Sequence, residues 1–431
     1  MRSSSWPRVY LSGVLFLTGL SAELHPAEPK NEKVKAEMLV RAGLNHYYQG
    51  NLKGALADFS KAIELDPNST PAYTNRGTVR YAQGDTEGAL ADVNRAIAIN
   101  PKDAMAYRNR GTFRHAKGEI EGALADDTTA IELNPKDAAA YNNRGLIHAE
   151  KGATESALAD FNKAIELNPK FPEAYRNRGI NRVDRGDASG ALADFNKAIE
   201  LRPTYVGAYN SRGVVLSSGG NTKGALADFG RAIALNPKDA SAYNNRGVVQ
   251  AAQGNIKGAL ADFDKAITLN PQDPSAYINR GVTFVAQEKW VNAFADFDAG
   301  LRADPKNIYS GFLRFMAQIR FGPAGSARKA LGEALARRVD ASPDDWESHI
   351  GAFLLGKESE ADLLKNAEGK DFATTRDRRC GAWYYAGIIR LAAGQKEAAA
   401  NCFRKSVATE KKNFVEYTLA VTELGRLEGK K

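Results

Sequence analysis

The stretch Ala104–Asp137, AMAYRNRGTFRHAKGEIEGALADDTTAIELNPKD, decides the architecture, because the same 34-residue text runs eight times through the chain. Its proline recurs at Pro67, Pro101, Pro135, Pro169, Pro203, Pro237, Pro271 and Pro305. Its aromatic recurs at Tyr73, Tyr107, Tyr141, Tyr175, Tyr209, Tyr243 and Tyr277. With 16 prolines in 431 residues, eight in strict register are not an accident. A fixed period of this length marks a stack of equivalent supersecondary units. Within the quoted unit, AMAYRNRGTFRHAKG reads as one helix and EIEGALADDTTAIELN as the next. Asp103, Asp137, Asp239 and Asp273 stand where an N-cap is needed, with Pro274 at a first helical position. Gly118 punctuates the turn, and Pro135, which has no N–H to donate, stops the second helix. Gly111, Ala123 and Ala130 let the helices approach, while Tyr107-type and Phe161-type aromatics fill the remaining volume. A single hairpin cannot bury its own apolar face, but a stack can.

The fingerprint YxNRGxxxxxxGxxxxALADFxxAIELNP, followed through 36–307, resembles the tetratricopeptide repeat. The resemblance implies an all-α solenoid, a right-handed superhelix of helix-turn-helix repeats beginning at 36, 70, 104, 138, 172, 206, 240 and 274. Val93 and Asp127 replace the usual Phe, and Asp127 is expected to weaken the packing of the third repeat. Glu288 replaces the turn glycine of the eighth. Beyond 307 the period fails. Helices are expected over Tyr309–Arg320 and Ala327–Arg338 around the breaker FGPAGS. A further one is capped by Ser342-Pro343-Asp344, and a short one spans Ser359–Ala367. The segment 308–379 thus reads as irregular helices. Residues 380–431 read as a degenerate ninth unit closed by a solvating cap helix, Phe414–Leu427. The stretch from Trp346 to Leu424 resembles the C-terminal module of NlpI-type bacterial envelope lipoproteins. That resemblance implies a scaffold for cell-envelope enzymes and a possible homodimer. The lipid-bearing Cys of those proteins is missing here.

Charge and cysteine exclude several classes. The formal charge of +8 is diluted: residues 23–307 hold 36 basic and 35 acidic residues, and 308–431 hold 21 and 16. No basic face with interleaved aromatics emerges, so nucleic acid is not an expected partner. The two cysteines, Cys380 and Cys402, exclude a disulfide scaffold, and an offset of about 10 Å along adjacent helices argues against a bridge between them. The order Arg2 and Arg8, then the apolar run Val9–Leu20, then Ser21-Ala22 reads as a secretory signal over 1–22, followed by a linker over 23–35. An organelle transit peptide is the alternative. Twelve residues of helix span about 18 Å, too short for an integral membrane anchor. The mature chain is therefore expected in the periplasm or secreted.

Two polar columns carry the functional expectations. Arg76, Arg110, Arg144, Arg178, Arg212, Arg246 and Arg280 hold the seventh place, opposite Asp58, Asp92, Asp126, Asp160, Asp194, Asp228, Asp262 and Asp296 at the twenty-third. They read as bidentate pairs holding helices and repeats in register. The sixth place holds Asn75, Asn109, Asn143, Asn177, Asn245 and Asn279, broken by Ser211. That column resembles the asparagine ladder of O-linked N-acetylglucosamine transferase, which implies a concave groove gripping peptide backbone; an amide supplies both donor and acceptor. The alternative is an inter-repeat hydrogen bond. Arg108, Arg176, Tyr47, Tyr48 and Tyr81 complete the expected peptide-binding set, with the tyrosine end favoured. No nucleophile elbow, phosphate loop or metal spacing occurs, so no catalytic residue, metal or cofactor is assigned and the protein is read as a non-enzyme. The expected role is an exported scaffold binding peptide or protein segments. The alternatives are a structural component working through edge contacts, or a regulator of an envelope enzyme.

Overall fold

Each 34-residue period becomes two antiparallel helices in the computed structural model, which describes residues 31–338, 342, 345–412 and 414–429. The expected leader, 1–22, and the linker as far as residue 30 lie outside the described residues. Among those residues the chain forms 23 α-helices and no strand, an all-α fold. It divides after Arg212 into two compact units.

The first unit is built of hairpins: α1 (Glu32–Tyr48) with α2 (Leu52–Leu65), α3 (Thr70–Ala82) with α4 (Thr86–Ile99), and α5 (Ala104–Ala116) with α6 (Ile120–Leu133). Then come α7 (Ala138–Glu150) with α8 (Thr154–Leu167), and α9 (Pro172–Asp184) with α10 (Ala188–Leu201). Helix α1 starts four residues before the expected repeat, because the Asn31 side chain accepts from the Lys33 N–H at 2.9 Å. Asp103 and Asp137 cap α5 and α7 as expected. Gly50, Gly84, Gly118, Gly152 and Gly186 turn each hairpin with φ between 75° and 87°, where a side chain is strained.

In three of the first unit's hairpins the glycine of the first helix receives the Phe of the second. A Cβ on Gly145 would lie 2.7 Å from Cε1 of Phe161, and Gly43 with Phe59 and Gly179 with Phe195 repeat this fit. Where Val93 shortens the Phe column, Phe113 of the next repeat fills in, stacked on Tyr81 at 4.7 Å. At Asp127 no such repair exists. This carboxyl is 1% exposed, and neither of its oxygens has a hydrogen-bond partner. Burial pushes it well above the ordinary carboxylate range, against the pull of Arg108.

Helix α11 (Val206–Ser218) straddles the division. The second unit continues with α12 (Thr222–Leu235), α13 (Ala240–Ala252), α14 (Ile256–Leu269), α15 (Pro274–Ala286) and α16 (Trp290–Ala303). Glu288 takes the turn glycine's left-handed conformation, φ 61°. Then follow α17 (Ile308–Gln318), α18 (Ala324–Ala336), α19 (Trp346–Leu354), α20 (Glu360–Asn366), α21 (Phe372–Ala392), α22 (Lys396–Val407) and α23 (Val415–Leu427). One continuous core, including Phe297, Phe312, Leu331, Ile350, Tyr384, Phe403 and Leu419, joins α15 to α23.

Several details of this end differ from the sequence expectation. Helix α18 begins inside the FGPAGS breaker, because Pro323 ends the break and the small residues after it continue as helix. The cap of α19 is Asp345, which accepts from Ser348 N at 2.6 Å and from Ser342 N at 3.1 Å. Helix α21 starts eight residues before Cys380, capped by Asp371. Cys380 therefore lies inside a helix; it and Cys402 are free, buried thiols. The last helix covers α21 and α22, burying Glu416, Leu419, Ala420 and Glu423, and it also reaches α15.

Candidate functional site

The polar columns of the sequence become two separate systems. Arg76, Arg110, Arg144 and Arg178 each grip the Asp sixteen residues on, with Nε and Nη2 donating to the two carboxylate oxygens at 2.7–2.9 Å. In the second unit Arg246–Asp262 and Arg280–Asp296 repeat the fork at 2.6–2.9 Å. The remaining Nη1 often reaches back sixteen residues to the preceding repeat: Arg110 to Asn94, Arg178 to Asn162, Arg212 to Asn196. The guanidinium groups of Arg76, Arg110, Arg144, Arg178, Arg212 and Arg246 also stack on the Tyr one turn earlier, as Arg144 does on Tyr141 at 5.6 Å. One side chain thus fastens its own hairpin and the one before it. The sequence carries a signal for the backward bond in the polar twenty-fifth place, which holds Ser60, Asn94, Asn162 and Asn196.

Support for the aspartates is uneven, and this yields a prediction. Asp126 receives a second guanidinium from Arg114 at 2.7 Å, whereas Asp160 has only His148 at 3.8 Å besides Arg144. Arg144→Ala therefore strands a nearly buried carboxylate and is expected to cost about 2–3 kcal/mol, Arg110→Ala about half that. Thermal melts of the two variants compare them directly, and an unchanged melt for Arg144→Ala would overturn the structural role.

The asparagine column faces the neighbouring repeat. Asn109 Nδ2 donates to Thr78 Oγ1 and Asn143 Nδ2 to Thr112 Oγ1, both at 3.2 Å. Asn177 donates to Asn142 Oδ1, and in the second unit Asn279 donates to Asn244 Oδ1, both at 2.9 Å. Asn75, Asn109, Asn143 and Asn177 are buried, and the Oδ1 atoms of the first three have no partner. Asn245 and Asn279 are half-buried. Arg108 is also buried; its Nη1 bridges both oxygens of Asp137, the cap of the next repeat, at 2.8 and 3.1 Å. Arg176 is buried beside Gly207. Asn109, Asn143, Asn177, Asn279 and Arg108 Nη1 thus donate between repeats, while Arg108 Nη2 and Arg176 Nε are buried without a partner.

The tyrosine end differs. Tyr48 is 63% exposed and Tyr47 half-buried, their rings edge-on at 6.0 Å. Tyr81 is half-buried, and in the next repeat His115 holds Glu150 at 2.6 Å. Burial pushes the Tyr47 and Tyr81 hydroxyls up, so both are neutral donors. The row offers ring faces and hydroxyls without a fixed charge. Among the described residues no three His, Cys, Asp or Glu side chains gather to hold a metal, and no helix is long and apolar enough to cross a membrane.

Comparison with known proteins places this geometry. Models described as tetratricopeptide repeat match residues 74–128, 138–171, 212–274 and 258–308, and one described as TPR repeat matches 43–84 and 111–152. Together they cover 43–171 and 212–308, more than half of the chain. A tetratricopeptide repeat protein from Parabacteroides merdae is 24% identical over 58% of this chain and 98% of its own, with a TM-score of 0.48. YrrB, a TPR protein with an unusual peptide-binding site, is 29% identical over 43% of this chain and 95% of its own, TM-score 0.34. The APC/C hetero-tetramer Cut9-Hcn1 supplies the fold likeness: 17% identity, 67% of this chain and 57% of that one, TM-score 0.56.

Proposed function

Since the chain belongs to the tetratricopeptide repeat family, whose members bind protein or peptide partners, we propose that it is an exported, non-catalytic scaffold for cell-envelope complexes. Its contact patch is the tyrosine end of the first unit, and the asparagine column works behind it by setting the spacing of the repeats. The observation that carries this reading is the contrast in exposure of these side chains. Asn109, Asn143, Asn177 and Arg108 are buried between repeats, while Tyr48 presents most of its surface to solvent beside Tyr47. Exposed tyrosines give large contact area at low entropic cost, which is why they concentrate where proteins meet. The leader-like N-terminus and the resemblance of Trp346–Leu424 to NlpI-type envelope lipoproteins support the location. The tyrosine row has no guanidinium or ammonium of its own, so an apolar or proline-containing segment suits it better than an acidic one.

The test is affinity capture from envelope extract with the mature chain, comparing wild type, Tyr47→Ala/Tyr48→Ala and Asn143→Ala/Asn177→Ala. The tyrosine variant is expected to lose at least tenfold in capture at an unchanged melting temperature. The asparagine variant is expected to melt lower and still capture below its melt. Full capture by the tyrosine variant, or loss of capture by an asparagine variant of unchanged stability, would reverse the assignment.

A further inference from the structure

The second unit contains a helix seated like a ligand. Helix α23 buries Glu416, Leu419, Ala420 and Glu423, the i, i+3, i+4, i+7 stripe by which an amphipathic helix lies in a groove. It packs on α22 and also on α15 and α21, each the first helix of its hairpin. Helices α21 and α22 are the last pair; the contact with α15 belongs to an earlier hairpin. Its polar anchors lie far away in sequence. Glu423 accepts from Arg320 Nη2 at 2.5 Å, across 103 residues. Arg426 donates to the Val285 carbonyl, across 141 residues, and Tyr385 Oη donates to Glu416 at 3.4 Å. Arg320 and Arg426 both stack on Trp290, at 4.7 and 5.1 Å. The chain enters α23 through Glu410, held at φ 54°, a conformation uncommon outside glycine.

We propose that the face running from α15 to α21 is a helix-binding surface which α23 occupies in cis. Its partner in trans is an amphipathic helix with carboxylates seven residues apart, a Leu-Ala pair between them and a guanidinium three residues beyond. A tethered helix competes at an effective concentration in the millimolar range, so the wild-type surface is closed to weak competitors. The tyrosine patch of the first unit plays no part in this proposal, and the two readings fail separately.

The probe is a fluorescent peptide of residues 411–431, titrated by anisotropy into the full chain. Leu419→Asp puts a charge into the apolar seat and unseats α23; Arg426→Ala loosens it more gently. Leu419→Asp is expected to bind the peptide at least tenfold more tightly than wild type, with Arg426→Ala between them. A peptide carrying Glu423→Lys should lose at least tenfold, having lost its bond to Arg320. If Leu419→Asp does not fold, Arg426→Ala carries the comparison. A folded Arg426→Ala or Leu419→Asp that binds no better than wild type overturns the proposal. So does loss of the unit's melting transition in both variants, which would make α23 an ordinary core helix.

Discussion

Asp127→Phe is expected to stabilise the first unit by about 2–4 kcal/mol, raising its melting temperature by about 5–12 °C. Most substitutions of a fully buried residue destabilise, so the sign is diagnostic. The argument rests on Asp127 standing in a column whose other first-unit members include Phe59, Phe161 and Phe195, each at most 1% exposed. Its two oxygens have no partner, so the folded chain loses their hydration and receives no hydrogen bond in return. The 34-residue register puts Ile147 opposite, where Val79 packs against Phe59, so Ile147→Val is the companion change if the ring is crowded. The pH dependence follows with a definite sign. Below the ordinary value of 3.8 the carboxyl is protonated in both states and adds no penalty. As pH rises from there toward the higher folded value, the unfolded chain gives up its proton first, and stability falls. Above the folded value the penalty is constant. Asp127→Asn should remove this part of the slope, as read from melts between pH 4 and pH 8. A Phe variant melting at or below wild type would sink the account.

Gly145→Ala is expected to cost about 2–3 kcal/mol, even though alanine is the better helix former by about 1 kcal/mol. The added Cβ would stand 2.7 Å from Cε1 and 2.9 Å from Cδ1 of Phe161, a ring only 1% exposed. A packed ring cannot rotate out of the way without moving a helix. Gly77 is the internal control, because the residue opposite is Val93, and its new Cβ would meet Cγ1 at 3.3 Å and the Ala89 carbonyl at 3.1 Å. Gly77→Ala should fall within about 1 kcal/mol of wild type. Urea midpoints of the two variants decide the point. Equal midpoints would mean that the glycine column answers to turn or propensity demands and not to the phenylalanine ring.

The fold was legible in the sequence because its determinants are local and repeated. Caps at Asp103 and Asp137, turns at Gly84 or Gly118, and the Arg144–Asp160 fork all connect residues within one period, so each appears as a column at a fixed place. The candidate site was legible only in part. The asparagines stood out as a column, but an amide facing a groove and an amide facing the next repeat share the same spacing. The structure shows the donors of Asn109 and Asn143 turned to Thr78 and Thr112. Arg108 showed no such pattern in the sequence, since its partner Asp137 already had a role as a cap.

By itself, then, the sequence determined the all-α repeat architecture, the pairing within hairpins and the weak point at Asp127. Periodicity encodes contacts between near neighbours, and that is as far as it reaches. Tertiary structure alone decided that α23 turns inward to Arg320 and Trp290, and that Asn109 and Asn143 donate to the preceding repeat while Tyr48 is largely exposed. The physical reason is separation along the chain: a contact made once, across 103 or 141 residues, leaves no repeating trace for a sequence to display.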